Sequence, residues 1–147
     1  MNIMPYKKIL IPIDGSANSF KAVSHGRLLA ECFNAEVGLL FVLIRLQELQ
    51  TFTQMSVSYI PESFYNDAQE YGQKVLSDAA ALLPSITVAK FLEIGSPAET
   101  ITEFSKVNGY DLIIIGSRGL GLIKGVVMGS VSSYVVHNAT CPIMVVK

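Results

Sequence analysis

The sequence predicts an α/β fold in which a five-stranded parallel sheet lies between two layers of helices. Apolar runs of strand length alternate with segments of helical periodicity, and each pair of successive strands is joined by a crossover long enough to hold a helix. The apolar runs are nearly continuous, as expected of strands that are buried on both faces. At 147 residues the chain is expected to form a single domain, residues 1–147.

The first half of the chain predicts a strand, a helix and a second strand. Residues 7–14 form a short apolar run that ends in Asp14, and Ser16 is a predicted N-cap of a helix that continues to about Phe33. A second buried strand is predicted from Glu36 to Ile44. The inward face of the helix is expected to consist of Ala22, Val23, Gly26, Leu29, Ala30 and Phe33.

The middle of the chain predicts a long helix after a segment that is hard to interpret. Residues 45–60 carry apolar side chains at every third position, which suits a short helix or an ordered loop. A helix is then predicted from about Pro61 to Leu83, where Pro84 ends it. Tyr65 and Tyr71 are interpreted as packing residues. The inward face of this helix is expected to consist of Phe64, Ala68, Tyr71, Val75, Ala79 and Leu82.

A third strand is predicted from Ile86 to Glu93, followed by a helix with a strong start. Ser96 is the expected N-cap, Pro97 takes the first helical position and Glu99 the third. The helix is expected to end at Asn108-Gly109. Its predicted buried residues are Ile101, Phe104 and Val107.

A glycine-rich stretch connects the fourth strand, Leu112 to Ile115, with a helix that begins at Gly129-Ser130 and ends near Asn138. At such a junction backbone N–H groups can converge on an anion, and glycines allow a phosphate to approach the main chain closely. Connections of this kind usually have only ~2–6 residues, so the length favours a binding role over a plain flexible loop. We therefore expect a phosphate-bearing ligand here.

The predicted strand order brings this loop next to Asp14. Right-handed crossovers indicate a doubly wound sheet, and in the order 3-2-1-4-5 the direction of winding reverses between the first and fourth strands. Ligands bind at such a reversal, outside the carboxyl ends of the strands. Asp14 ends the first strand and Gly116 begins the loop after the fourth. Both should therefore face one crevice.

Composition excludes several functional classes. The 11 basic and 12 acidic residues give no basic surface for nucleic acid. The longest apolar runs fall far short of the roughly 20 residues of a membrane span. Two cysteines indicate neither a disulfide framework nor a metal site. Because no signal peptide is recognisable, we expect a cytoplasmic protein with reduced thiols.

The glycine spacing carries a specific resemblance. Gly116-x2-Gly119-x9-Gly129-Ser130 is neither a Walker A sequence nor a dinucleotide fingerprint, in which a glycine would replace Lys124. It resembles the nucleotide signature of the universal stress protein family, in its ATP-binding branch. Nearly the whole chain resembles that family, and the fold that this implies is an adenine nucleotide α-hydrolase-like sandwich. The other similar segments are Lys8–Ser16, Glu93–Glu99, Asp111–Arg118 and Cys141–Lys147.

The resemblance implies an ATP site with particular residues. Pro12 and Asp14 would lie at the adenine, and Val42 would contact the base through its main chain. Beneath the ribose and phosphates the resemblance places Gly116, Ser117, Arg118 and Gly119. The phosphates themselves would be held by Gly129, Ser130, Val131 and Ser132. Phe41 departs from the family pattern, which often has histidine there. From the residues alone, Asp14 as a helix cap and Arg118 as a solvated side chain stay open.

A bound nucleotide is expected to carry Mg²⁺ or Mn²⁺, held mainly by its phosphates and by water. The sequence contains no carboxylate pair and no Ser/His/Asp arrangement, so any hydrolysis should be slow. The leading hypothesis is an ATP-binding stress-response protein that acts as a nucleotide-dependent switch or sensor. The alternatives are a nucleotide-free protein-interaction module of the same fold and a nucleotide hydrolase or transferase.

The final strand predicts self-association. Its residues are apolar and almost uncharged, and the strand lies at the edge of the predicted sheet, where unpaired backbone groups invite pairing. Pairing with a second copy across a two-fold axis satisfies these groups, and the family resemblance implies the same. We expect a homodimer formed through Ile143, Met144, Val145 and Val146.

Overall fold

A computed structural model describes residues 5–45, 61–120 and 128–147. Its five strands are all parallel and lie in the order β3-β2-β1-β4-β5, which confirms the predicted order. The strands are β1 (Lys8–Pro12), β2 (Glu36–Ile44), β3 (Val88–Gly95), β4 (Leu112–Gly116) and β5 (Ile143–Val146). The third strand thus begins two residues later than predicted and extends to Gly95.

In the part of the chain that the structure describes, four helices cover the two faces of the sheet: α1 (Ala17–Phe33), α2 (Glu62–Ala81), α3 (Pro97–Val107) and α4 (Ser130–Asn138). On one face Ile9 and Ile11 of β1 pack with α1 and α2. On the other face Leu10 and Ile113 pack with α3 and α4. The core therefore has two halves, as expected for strands that are apolar on both sides.

Local signals in the sequence set the helix ends. The Ser16 hydroxyl accepts from Ser19 N at 3.2 Å, and Asn34 ends α1 in the left-handed conformation. α3 also begins and ends where predicted. Ser96 is the N-cap, as predicted, although its side chain makes no capping hydrogen bond. Pro97 fixes the first turn without it.

The predicted inward faces of α2 and α3 were partly wrong. Leu82 is the C-cap of α2, so Leu83 turns into the core in its place. Val107 is 70% exposed because the turn after α3 brings Tyr110 into the core instead. Phe64 and Tyr71 are 47% and 44% exposed, because the first half of α2 faces a cavity rather than the sheet.

Some expectations fall outside the described residues, notably the short helix or ordered loop in residues 46–60. Within the residues that the structure describes, no helix is long and apolar enough to cross a membrane.

The packing of α1 on β1 generates a stability prediction. A side chain at the buried residue Gly26 would contact Cδ1 of Ile11. Gly26→Ala should therefore destabilise the protein, although alanine favours a helix over glycine by about 1 kcal/mol. Ile11→Val removes that methyl group. It should lower the free energy of unfolding by about 0.5–1.5 kcal/mol in the wild type and by less in the Gly26→Ala protein.

Urea unfolding of the four proteins in this double-mutant cycle measures the coupling between the two sites. Strictly additive changes in the free energy of unfolding would contradict the packing described.

Candidate functional site

A cavity of about 440 Å³ opens at the carboxyl end of the sheet, where the strand order reverses between β1 and β4. Its size falls within the roughly 300–1,000 Å³ of small-molecule sites. The ends of β1, β2 and β4 line it together with the first half of α2 and the first turns of α3 and α4. The cavity therefore occupies the position where doubly wound sheets bind ligands.

All but one of the predicted site residues line this cavity. They are Pro12, Asp14, Val42, Gly116, Arg118, Gly119, Gly129, Ser130, Val131 and Ser132. Ser117 is the exception: it is 1% exposed and lies beneath the cavity floor. The structure thus brings together residues from three distant parts of the sequence.

Ser117 connects the elements around the cavity. Its N–H donates to Val146 O at 2.7 Å, which extends the pairing of β4 with β5. Its carbonyl oxygen accepts from Gly129 N and from Ser132 Oγ, both at 2.7 Å. Asn18 Nδ2 donates to its hydroxyl at 3.3 Å. Ser117 therefore positions α4 and α1 relative to β4.

The carboxylate of Asp14 joins the start of α1 to the glycine-rich loop. Its Oδ1 accepts from Ser16 N at 2.9 Å, and its Oδ2 accepts from Leu120 N at 3.1 Å. A side chain at Gly119 would contact Oδ2, so the loop lies directly on the carboxylate. Asp14 thus both holds the turn before α1 and lines the cavity. A carboxylate offers about four acceptor positions, which leaves capacity for a ligand.

Val42 presents main-chain groups to the cavity. Ile13 N donates to Leu40 O at 2.9 Å, and the pairing of β1 with β2 ends at Pro12 and Leu40. In a parallel ladder, alternate residues direct their main-chain groups to the same side. The N–H and C=O of Val42 therefore point past the end of β1 into the cavity. No strand in the described part of the chain pairs with them on that side.

The opposite wall is suited to an anion. The first N–H groups of α4 have no acceptor within the helix, and they carry its positive dipole end. Arg118 lies beside them, and its Nε is buried without a hydrogen-bond partner among the described residues. A buried donor of this kind is costly unless a ligand pairs with it.

Gly129, which precedes α4, is a glycine that the protein alone does not require. Its backbone is extended (φ −77°, ψ 168°), a conformation open to any residue. Apart from its chain neighbours, the nearest atom that a Cβ there would meet among the described residues lies at 3.6 Å, which is ordinary contact. Close approach of a ligand to the main chain is a physical reason for glycine at this position.

Most of the apolar wall of the cavity was not predicted from the sequence. Tyr65 and Tyr71 pack against neighbouring aromatic rings, as expected, and they also line the cavity, which was not expected. Their periodicity is the same whether the helix covers a core or a cavity, and it could not have identified them. Leu43 and Ile44 could have been found, because they follow Val42 at the carboxyl end of β2. The wall consists of Phe41, Leu43, Ile44, Phe64, Tyr65, Ala68 and Tyr71.

The sequence model of the universal stress protein family matches residues 5–147. The chain belongs to the universal stress protein family. It is 33% identical to universal stress protein YxiE of Bacillus subtilis, over 97% of this chain and 99% of that one. The family membership inferred from the glycine spacing is thereby confirmed.

Solved structures of family members have the same fold. MJ0577 of Methanocaldococcus jannaschii matches with a TM-score of 0.75 and 26% identity, over 98% of this chain and 97% of that one. The universal stress protein of Archaeoglobus fulgidus, solved in complex with dAMP, matches with a TM-score of 0.70. That match has 17% identity and covers 98% of this chain and all of the other. These likenesses confirm the predicted adenine nucleotide α-hydrolase-like fold.

Proposed function

We propose that this universal stress protein binds ATP in the cavity and acts as a nucleotide-dependent switch or sensor through a homodimer. One observation carries the proposal. A free main-chain donor and acceptor at Val42 and an anion-binding helix start at α4 face the same cavity of about 440 Å³. A nucleotide matches both, because its base can pair with the main chain of Val42 and its phosphates can bind at the start of α4. The dAMP complex of the Archaeoglobus relative supports the ligand class.

The main chain of Val42 favours adenine over guanine. Adenine carries an amine donor where guanine carries a carbonyl acceptor. The C=O of Val42 can accept from that amine, whereas it would repel the guanine oxygen. The Asp14 carboxylate, which lines the same end of the cavity, offers a second acceptor for the amine. Because a buried polar group left unpaired is costly, this pattern should discriminate strongly between the two bases.

The phosphates would lie at the start of α4. The N–H groups of Ser130, Val131 and Ser132 can donate to phosphate oxygens, and the helix dipole adds about 0.3–1 kcal/mol for each favourable charge. The Nε of Arg118, which has no hydrogen-bond partner among the described residues, supplies a charged donor. The Ser132 hydroxyl already donates to Ser117 O at 2.7 Å, so this residue would contribute its N–H.

A divalent ion would be held by the ligand. Within the described residues, no group of three His, Cys, Asp or Glu side chains could bind a metal. Mg²⁺ keeps water and phosphate oxygens as ligands, and bound to ATP it would offset the phosphate charge. Asp14 is the only carboxylate among the described cavity residues, and both of its oxygens accept main-chain bonds. Any hydrolysis is therefore expected to be slow.

The edge strand β5 is the proposed dimer interface. Ile113 N donates to Pro142 O at 3.0 Å and Ser117 N donates to Val146 O at 2.7 Å. By the alternation of a parallel ladder, the main-chain groups of Ile143 and Val145 point away from β4. In the described part of the chain no strand pairs with them. A second copy related by a two-fold axis would satisfy these groups.

Calorimetric titration tests the nucleotide site. Wild-type protein should bind ATP at least about tenfold more tightly than GTP, a difference of about 1.4 kcal/mol. Gly129→Leu should fold, because the backbone there is extended, but its side chain would occupy the phosphate position and weaken ATP binding by at least about tenfold. Gly109→Asn, at the end of α3 and away from the cavity, is the control: its backbone has a φ of +69°, which asparagine tolerates, and it should bind ATP normally.

Full ATP affinity in Gly129→Leu would contradict the phosphate assignment. A wild-type protein that binds no adenine nucleotide would leave the nucleotide-free interaction module as the function.

Light scattering tests the dimer. The wild type should be a dimer at micromolar concentration, whereas Val145→Pro should be a folded monomer, because proline removes one outward N–H and blocks strand pairing. Val145→Ala shortens the side chain but keeps the N–H, and it should remain dimeric. A monomeric wild type, or a dimeric proline variant, would exclude pairing through β5.

A further inference from the structure

We infer that Tyr71 of α2 determines base specificity: its ring forms the wall against which adenine lies, and its hydroxyl end holds the turn that carries Asp14. This inference rests on the proposed nucleotide site and adds to it a residue outside the glycine-rich loop. Tyr71 lines the cavity and is 44% exposed. Three features support this role: the position of α2, the contacts of the ring and the contacts of the hydroxyl group.

Gly72 fixes the position of α2 above β2. A Cβ on Gly72 would lie 2.8 Å from Cδ1 of Phe41 and 3.0 Å from Cδ1 of Leu92. Both distances are shorter than ordinary contacts, so any side chain at position 72 would require the Phe41 and Leu92 side chains to shift, and glycine lets the helix pack closely on the sheet here. Tyr71 is the neighbour of this glycine. The backbone of Tyr71 therefore lies close to the end of β2.

The ring of Tyr71 lies beside the strand that carries Val42. It meets the buried ring of Phe41 edge to face, with 6.0 Å between centroids and an interplanar angle of 74°. Phe41 immediately precedes Val42, whose main chain is the proposed contact for the base. One part of the Tyr71 ring is thus held by Phe41, and the exposed remainder faces the cavity. Aromatic faces in this situation are favourable partners for a nucleic-acid base.

The hydroxyl end of Tyr71 contacts the turn between β1 and α1. Its oxygen lies 3.5 Å from the main-chain oxygen of Asp14. A Cβ on Gly15 would contact the same hydroxyl, and Gly15 has a φ of +91°, which favours glycine. Tyr71 therefore packs directly on the turn that directs the Asp14 carboxylate into the cavity. Loss of the side chain would leave this turn less constrained.

Both contacts lie at the proposed base end of the cavity. Phe41 and Asp14 flank the groups proposed to recognise adenine, whereas the phosphate groups are assigned to the start of α4. A change at Tyr71 should therefore act on binding of the base more than on binding of the phosphates. An aromatic face can stack on any base, so the ring favours ATP only because Val42 accepts adenine at this wall and repels the guanine oxygen, which leaves GTP held mainly through its phosphates. Comparison of two nucleotides that differ only in the base separates these effects.

Calorimetric titration of Tyr71→Leu with ATP and with GTP tests the inference. We expect the affinity for ATP to fall about tenfold and the affinity for GTP to change less than about threefold, so that the preference for ATP falls several-fold. Tyr71→Phe keeps the ring and should bind ATP within about threefold of the wild type. Tyr134→Leu, a tyrosine of similar exposure on α4 that does not line the cavity, is the matched control and should not change the ratio.

Three outcomes bear on the inference in different ways. A wild type that binds no ATP would remove the proposed function itself. A wild type that prefers ATP, with Tyr71→Leu preserving the ratio of the two affinities, would overturn the inference and leave the proposed function intact. A greater loss for GTP than for ATP would also overturn it, because the side chain would then not favour adenine.

A fluorescence variant keeps the inference testable if Tyr71→Leu does not fold. The sequence contains no tryptophan, so Tyr71→Trp introduces a single indole at the cavity wall. ATP at saturating concentration should quench its emission through contact with adenine, whereas the emission of Tyr134→Trp should not change. Unchanged emission in Tyr71→Trp, at ATP concentrations that calorimetry shows to saturate the protein, would overturn the inference.

Discussion

The site depends on the hydrogen bonds around the main chain of Ser117. One peptide unit continues the pairing of β4 with β5 through Val146, and the carbonyl of Ser117 accepts two bonds from the start of α4, from Gly129 N and Ser132 Oγ. These bonds are buried, short and largely independent of the side chain at position 117. They place the N-terminus of α4 at the reversal of the sheet. Every proposed contact with phosphate follows from this placement.

Much of the fold could be predicted from the sequence because its signals are local. Apolar runs that can only be buried on both faces marked β1, β2 and β4, and Asn34 and Gly109 marked helix ends through their backbone conformations. The position of the crevice could be predicted from the strand order, because Asp14 and Gly116 lie at the ends of neighbouring strands in the confirmed order. The burial of Ser117 beneath the cavity floor could not be predicted, because a motif does not show which of its residues reach the surface of the site.

The apolar wall could not be predicted because periodicity records only that one face of a helix is apolar. Val75 and Ala79 meet the sheet, whereas Phe64 and Tyr71, on the same stripe of α2, face the cavity. The difference arises from where the strands end beneath the helix, which is a property of the assembled sheet. The start of α3 shows another limit of local patterns. The sequence around Ser96 is favourable for capping, but the Ser96 side chain makes no capping hydrogen bond.

The central claim is that main-chain groups at the end of β2 and at the start of α4 bind the two ends of one adenine nucleotide. A crystal structure of the protein with ATP tests this claim most directly. The account predicts the adenine edge on the N–H and C=O of Val42 and phosphate oxygens within hydrogen-bond distance of the N–H groups of Ser130 to Ser132. A base bound against another wall, or phosphates directed away from α4, would contradict it.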